Sequence, residues 1–199
     1  MKLYDISQEL ITSDVYPGDP VPTVTKLSSI SNGDLYNLTH FSACAHNGTH
    51  VDAPCHFIEN GKTVGEMNLS KMVGEAYVAE AFGDIGKNEA NDMLNKARQH
   101  SIEASMRILI KGDSTVTKEA AKAFYLGGVS LLGVESQSVG PINAPMEVHK
   151  LLLGQEVVLL EGLRLGEVSE GAYFLFAAPI NIGESDGAPC RAVLVDFNG

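Results

Sequence analysis

Between His46 and His56 the chain reads His46-Asn47-Gly48-Thr49-His50-Val51-Asp52-Ala53-Pro54-Cys55-His56, placing three imidazoles and one carboxylate within eleven residues. Those donor types suit a borderline divalent cation such as zinc or manganese. His46 and His50 are four apart, a spacing that shares one face of a helix. Asn47-Gly48 argues against a helix, so the segment reads as a tight loop that turns His46 back toward His50. His50 and Asp52 are two apart and point to one side of an extended strand. Pro54 interrupts that strand and re-aims His56. Two imidazoles and a carboxylate leave a position open for water, the pattern of a catalytic metal site. His56 then stands beside the metal and serves as general base. Each histidine alone would read as a surface-loop residue. The cluster, framed by Gly and Pro turn residues, points to a metal instead.

Elements of the right kind surround this segment. Leu3–Ile6, Ala76–Phe82, Met106–Lys111, Val129–Val134, Val157–Leu160, Tyr173–Ala178 and Arg191–Phe197 read as strands from their β-branched and apolar runs. Asn88 is placed to cap a helix running to about His100. Thr117 is placed to cap a helix from Lys118 to Tyr125 that stops at Gly127-Gly128. Asn143 reads as the cap of a third helix, with Pro145 in its first turn and Gly154 at its end. Strands and helices alternate in the second half, whereas the first 65 residues are rich in turn formers. The expectation is an α/β fold, a single domain over residues 1–199 with a mixed β-sheet flanked by helices.

Length and composition set the limits. The 199 residues are 44% hydrophobic and 20% charged, which is enough for one well-packed core. Fourteen basic against twenty-five acidic residues give a net charge of −11, which disfavours nucleic acid as a partner. Apolar runs such as Val157–Leu160 are too short for a membrane span. The N-terminal stretch lacks the long apolar run of a signal peptide, and Cys44, Cys55 and Cys190 make an odd set with no CxxC pair. Reduced thiols in the cytoplasm are the expectation.

His46 to His56, HNGTHVDAPCH, resembles the HxGTHxDxPxH signature of the cyclase-like metal-dependent hydrolases, a family that includes the bacterial kynurenine formamidases and isatin hydrolases. The resemblance extends along the chain. Tyr16-Pro17-Gly18-Asp19 is similar to an N-terminal aromatic-PGD turn, the stretch from His149 to Glu161 to a second metal-bearing segment, and Asp186-Gly187-Ala188-Pro189-Cys190-Arg191 to a DGAPxR ending. The resemblance implies a swivelling β/β/α architecture. It implies that His46, His50 and Asp52 bind a first metal, and that Asp52 bridges to a second held by His149 and Glu161. It implies that His56 moves the proton and that Tyr16 contacts an aromatic substrate where formamidases carry a Trp. It also implies a homo-oligomer, dimer or tetramer. Read without it, His149 is a helix-surface histidine and Glu161 a polar strand end. The chain departs from the formamidase pattern in having no Trp and in carrying Gly140 where many relatives are acidic.

Other residues offer less. Ser136 and Ser138 lack a GxSxG elbow. Cys55 reads as a packed thiol, His40 as structural, and Arg191 equally as an anion site or an ion pair. The reading is a hydrolase of a carbon–nitrogen amide bond, using metal-activated water and His56 as proton shuttle. Zinc is the first choice of metal and manganese the second, with one or two ions per chain. The substrate class is an aryl formamide such as N-formylkynurenine, or a cyclic amide. The alternatives are a metal-dependent lyase or cyclase acting on a small carbonyl compound, and a non-catalytic metal-dependent ligand binder.

Overall fold

A computed structural model describes residues 1–141 and 143–197, so the last two residues of the expected 1–199 domain and Ile142 lie outside it. In chain order, β1 is Lys2–Asp5, β2 Thr23–Ser28, β3 Leu38–Ser42, β4 His50–Asp52, β5 Val73–Glu80 and β6 Gly83–Ile85. Helix α1 (Lys87–His100) precedes β7 (Arg107–Lys111) and β8 (Ser114–Val116), and α2 (Lys118–Leu126) leads to β9 (Leu131–Val134). Helix α3 (Met146–Leu153) then precedes β10 (Val158–Glu161), β11 (Gly171–Phe176), β12 (Gly187–Pro189) and β13 (Val193–Asp196).

Nine strands form one sheet in the order β1-β13-β11-β5-β7-β9-β10-β4-β12. Its centre, β5-β7-β9-β10, is parallel, and every strand added on either side is antiparallel. The parallel steps explain where the helices lie. Helices α1, α2 and α3 each supply one crossover, and the steps run in the same direction across the sheet. Crossovers of one hand then put all three on the same face. Accordingly, Ala90, Leu94, Phe124 and Leu152 share one apolar layer with Tyr77, Ile108, Ile110, Leu132 and Leu159. The helices therefore cover one face of the sheet rather than both. The alternate residues, Val78, Leu109, Leu131 and Leu160, enter a second layer with Val51 of β4 and Leu194 of β13. Strands from opposite ends of the sheet meet in that layer, so the sheet curls on itself.

Helix starts show how local chemistry sets boundaries. Thr117 caps α2 as expected, with its side chain accepting from the Ala120 N–H. Helix α1 begins one residue before Asn88, and the Glu89 carboxylate instead accepts from the Gly86 N–H at 3.2 Å. Asn143 does not cap α3. The helix starts at Met146, directly after Pro145, whose φ of −70° is already helical. Among the described residues, five strands escaped the sequence patterns: β2 and β3 of the hairpin, the small parallel pair β6-β8, and the three-residue strand β12, whereas β4 is the short extended strand read at His50 and Asp52.

Candidate active site

Strand β4 organises the site. It lies between β10 and β12, antiparallel to both. Its register sets His50 opposite Glu161 and Asp52 opposite Gly187. The turn before it, with Gly48 at φ +66°, returns His46 to the same place. His46 Nδ1 lies 2.8 Å from Asp52 Oδ1, and His50 Nε2 lies 3.4 Å from the same oxygen. His149 enters from α3, with Nε2 3.3 Å from Glu161 Oε1 and 3.7 Å from Asp52 Oδ2. His149 is only 3% exposed, so the helix-surface reading of that residue does not hold. Its helix packs that face over the ends of the strands.

The outer nitrogens of two rings are tied down. His50 Nδ1 donates to the Gly48 carbonyl at 3.0 Å, and His149 Nδ1 donates to the Pro145 carbonyl at 2.8 Å. Both rings therefore present Nε2 to the carboxylates, the orientation that metal-binding histidines adopt. Burial works against a charged His50, but Asp52 and Glu161 beside it raise its pKa to about 10. Burial opposes ionisation of Asp52 too, yet the flanking imidazoles hold its carboxyl far below the usual range. Asp52 Oδ2 is buried without a hydrogen-bond partner. A buried carboxylate oxygen left open is costly unless something positive meets it. Ligand atoms of His46, His50 and Asp52 lie within 4.8 Å of one another, as do those of Asp52, His149 and Glu161. The donor set and the open oxygen fit a divalent cation, with Asp52 common to both groups.

His56 stands outside these two groups, and its ring makes a third set with His46 and Asp186 whose ligand atoms also lie within 4.8 Å of one another. Pro54–His56 forms a single 3-10 turn, which carries the ring off the line of β4. The His56 and His46 rings stack with centroids 4.0 Å apart. Burial lowers the pKa of His56 below that of an ordinary histidine. A cavity of about 470 Å³ opens here, lined by Tyr16, Phe57, Gln137, His56, His149 and Glu161 among others, with no Lys or Arg among the described residues that line it. Tyr16 is thus brought to the same cavity as the histidines.

Two contributors were missed as site residues. Asp186 was noticed only as part of a motif, yet its Oδ2 accepts from His46 Nε2 at 3.1 Å and from His56 Nδ1 at 3.2 Å. Gln137 lines the cavity with both terminal atoms buried and unpartnered, in a stretch set aside for lacking a serine elbow. Other candidates fall away. Arg191 pairs with Asp5, its Nε 2.9 Å from Oδ2, and so acts as the ion pair. The Cys55 thiol approaches the Ser185 carbonyl, and burial pushes its pKa up, as a packed thiol requires. His40 sits on the exposed hairpin strand β3 and His100 at the end of α1, its ring against Tyr77.

Fold and site together define a class: a curled α/β sheet whose strand β4 carries a His/Asp/Glu pocket suited to a divalent cation. Residues 4–141 match the family model described as putative cyclase. The chain is 32% identical to the kynurenine formamidase of Erythrobacter litoralis (strain HTCC2594), over 97% of this chain and 93% of that one. It superposes on a solved structure described as a potential metal-dependent hydrolase with cyclase activity, with a TM-score of 0.78, 26% identity and coverage of 97% of this chain and 96% of that one. Isatin hydrolase A from Labrenzia aggregata shares the fold, with a TM-score of 0.80 at 19% identity over 98% of this chain and 93% of that one. The chain belongs to the putative cyclase family.

Proposed function

We propose that this chain is a metal-dependent hydrolase of amide bonds, acting on an aryl formamide such as N-formylkynurenine or on a cyclic amide. The observation that carries the reading is the buried, half-open Asp52 carboxylate shared by two ligand groups, with His56 at the cavity wall beside them. The similarity to kynurenine formamidases along nearly the whole chain supports the substrate class. In this reading His46, His50 and Asp52 hold one cation, and Asp52, His149 and Glu161 hold a second, zinc before manganese. A divalent cation there supplies Lewis acidity, lowering the pKa of water and polarising a carbonyl oxygen. Asp52 and Glu161 balance that charge in a site with no Lys or Arg among the described residues that line it. His56, mostly neutral because burial lowers its pKa, accepts the proton of the attacking water and returns it to the leaving nitrogen. Tyr16 offers a ring face and a hydroxyl to an aromatic substrate.

Chelator-treated protein should lose hydrolysis of formanilide, and zinc or manganese should restore it. Stripped protein that keeps its full rate sinks the metal role. In heavy-oxygen water the released formate should carry solvent oxygen; a product without the label favours the lyase reading. His56→Ala should lower kcat by about 10²- to 10⁴-fold while its metal content stays at the wild-type level; a full rate would rule out the proton transfer.

The chain works as one unit over residues 1–199, as a homo-oligomer. The hairpin β2-β3 supports this, because Val24, Leu27, Leu38 and Phe41 stand exposed on two strands that, among the described residues, pair only with each other. Such a hairpin is marginal unless another layer covers it. Its occupant in this reading is a second copy of the chain. No helix among the described residues is long and apolar enough to cross a membrane. Three free thiols at Cys44, Cys55 and Cys190 support a reducing, cytoplasmic setting.

A further inference from the structure

One carboxylate outside both ligand groups of the proposed reading touches two histidines of different roles. Asp186 Oδ2 lies 3.1 Å from His46 Nε2 and 3.2 Å from His56 Nδ1. The two rings stack with an interplanar angle of 29°, so each presents an edge nitrogen to the same oxygen. A carboxylate of ordinary pKa is ionised at neutral pH. An ionised carboxylate only accepts, so each of those ring nitrogens carries the proton. In a neutral imidazole a proton on one nitrogen leaves a lone pair on the other. His46 would then meet a cation through Nδ1, the atom 2.8 Å from Asp52 Oδ1, with the cation taking the place of the proton between them. His56 is left with its lone pair on Nε2.

We propose that Asp186 is a positioning residue that sets the tautomers of both rings at once, keeping His46 Nδ1 available to a cation and His56 Nε2 available to a proton from the substrate water. The proposal rests on the proton-transfer role given to His56 above. When His56 Nε2 takes that proton, the imidazolium already faces a carboxylate, which stabilises the charge without Asp186 itself being protonated. The same proton then leaves Nε2 for the departing nitrogen. A purely structural role does not fit the contacts. The Asp186 backbone carbonyl ties its loop to β4 by accepting from the Ala53 N–H at 2.9 Å. The side chain, 48% exposed, makes both of its named hydrogen bonds to the site histidines.

Nitrogen-15 spectra of the imidazoles in zinc-loaded protein read the tautomers directly. Wild-type His56 should carry its proton on Nδ1. Asp186→Asn and Asp186→Ala should shift it toward the Nε2–H or a mixed form. With formanilide, kcat should fall about 10- to 100-fold while KM changes little, at unchanged zinc content, and Asp186→Glu should recover part of the rate. A His56 that stays Nδ1–H in both variants, with kcat within about twofold of wild type, overturns the proposal. So does a loss of rate that added zinc fully repairs, which would make Asp186 a ligand. A tautomer change together with a fully active His56→Ala variant supports the positioning and overturns the proton-transfer reading instead.

Discussion

Asp52 is the residue on which both ligand groups depend. One of its oxygens faces His46 and His50, and the other faces His149. Substitutions should therefore act unequally. Asp52→Asn should abolish metal binding at both groups, whereas His149→Ala should remove only the group it shares with Glu161. Metal analysis per chain, on variants whose circular dichroism matches wild type, separates these outcomes; equal losses would mean that a single cation sits among all five residues. The identity of these residues as a chemical cluster was legible to different degrees. His46, His50, Asp52 and His56 declare themselves by type and spacing within one short segment. His149 does not, because a single histidine on a helix looks the same whether its face is covered or bare. Only the likeness to a known family singled it out.

The elements decide how closely the site packs. Gly187 of β12 sits opposite Asp52, and a Cβ there would lie 2.5 Å from His46 Cε1 and 2.9 Å from the Val51 carbonyl oxygen. The carbonyl belongs to a paired strand and cannot move away, so the His46 ring must shift. Gly187→Ala should cost about 1–3 kcal/mol in chemical denaturation. It should also weaken zinc binding at least tenfold in a competition titration; wild-type affinity would show that the ring has room. Helices and central strands were readable because each spans enough residues for apolar periodicity and capping to register. Strand β12 was not, since three residues are too few for alternation to stand out. Cap positions erred by a residue or two at Asn88 and Asn143, where a Gly-Glu pair and a proline set the start instead.

Over the whole molecule, the two ends of the chain meet. Strand β1 pairs with β13, and Asp5 pairs with Arg191 beside that seam. The Arg191 hydrogen bond holds the Asp5 carboxyl below its ordinary value of 3.8. The unfolded chain therefore binds that proton more readily than the folded one. The resulting stability is fully present above the unfolded value and is lost as pH falls through the folded one. Asp5→Asn should accordingly lower Tm at neutral pH and show a smaller further loss on going below about pH 3.8 than wild type does. A parallel acid limb in the two proteins would show that the pair contributes nothing. The exposed hairpin makes a second prediction. Leu27→Asp with Phe41→Asp should shift the protein toward monomer in sedimentation velocity, while helicity stays unchanged. A wild type already monomeric at micromolar concentration would refute the second-copy reading.

The segment from His46 to His56 could be read as a metal-binding cluster because everything that shapes it acts over a few residues. The Asn-Gly turn, the two-residue alternation of His50 and Asp52, and the proline that bends away His56 are all local. The acidic composition and the alternation of strands and helices likewise follow from the residues in order. Which strand lies beside β4 is not local. Glu161 joins the cluster because β4 pairs antiparallel with β10, and Asp186 joins because β12 pairs on the other side. Asp186 is 140 residues from His46 in the chain and 3.1 Å from it in space. Contacts of that separation come from closing the sheet on its second apolar layer, and burial of that layer is a property of the assembled strands, not of any one of them.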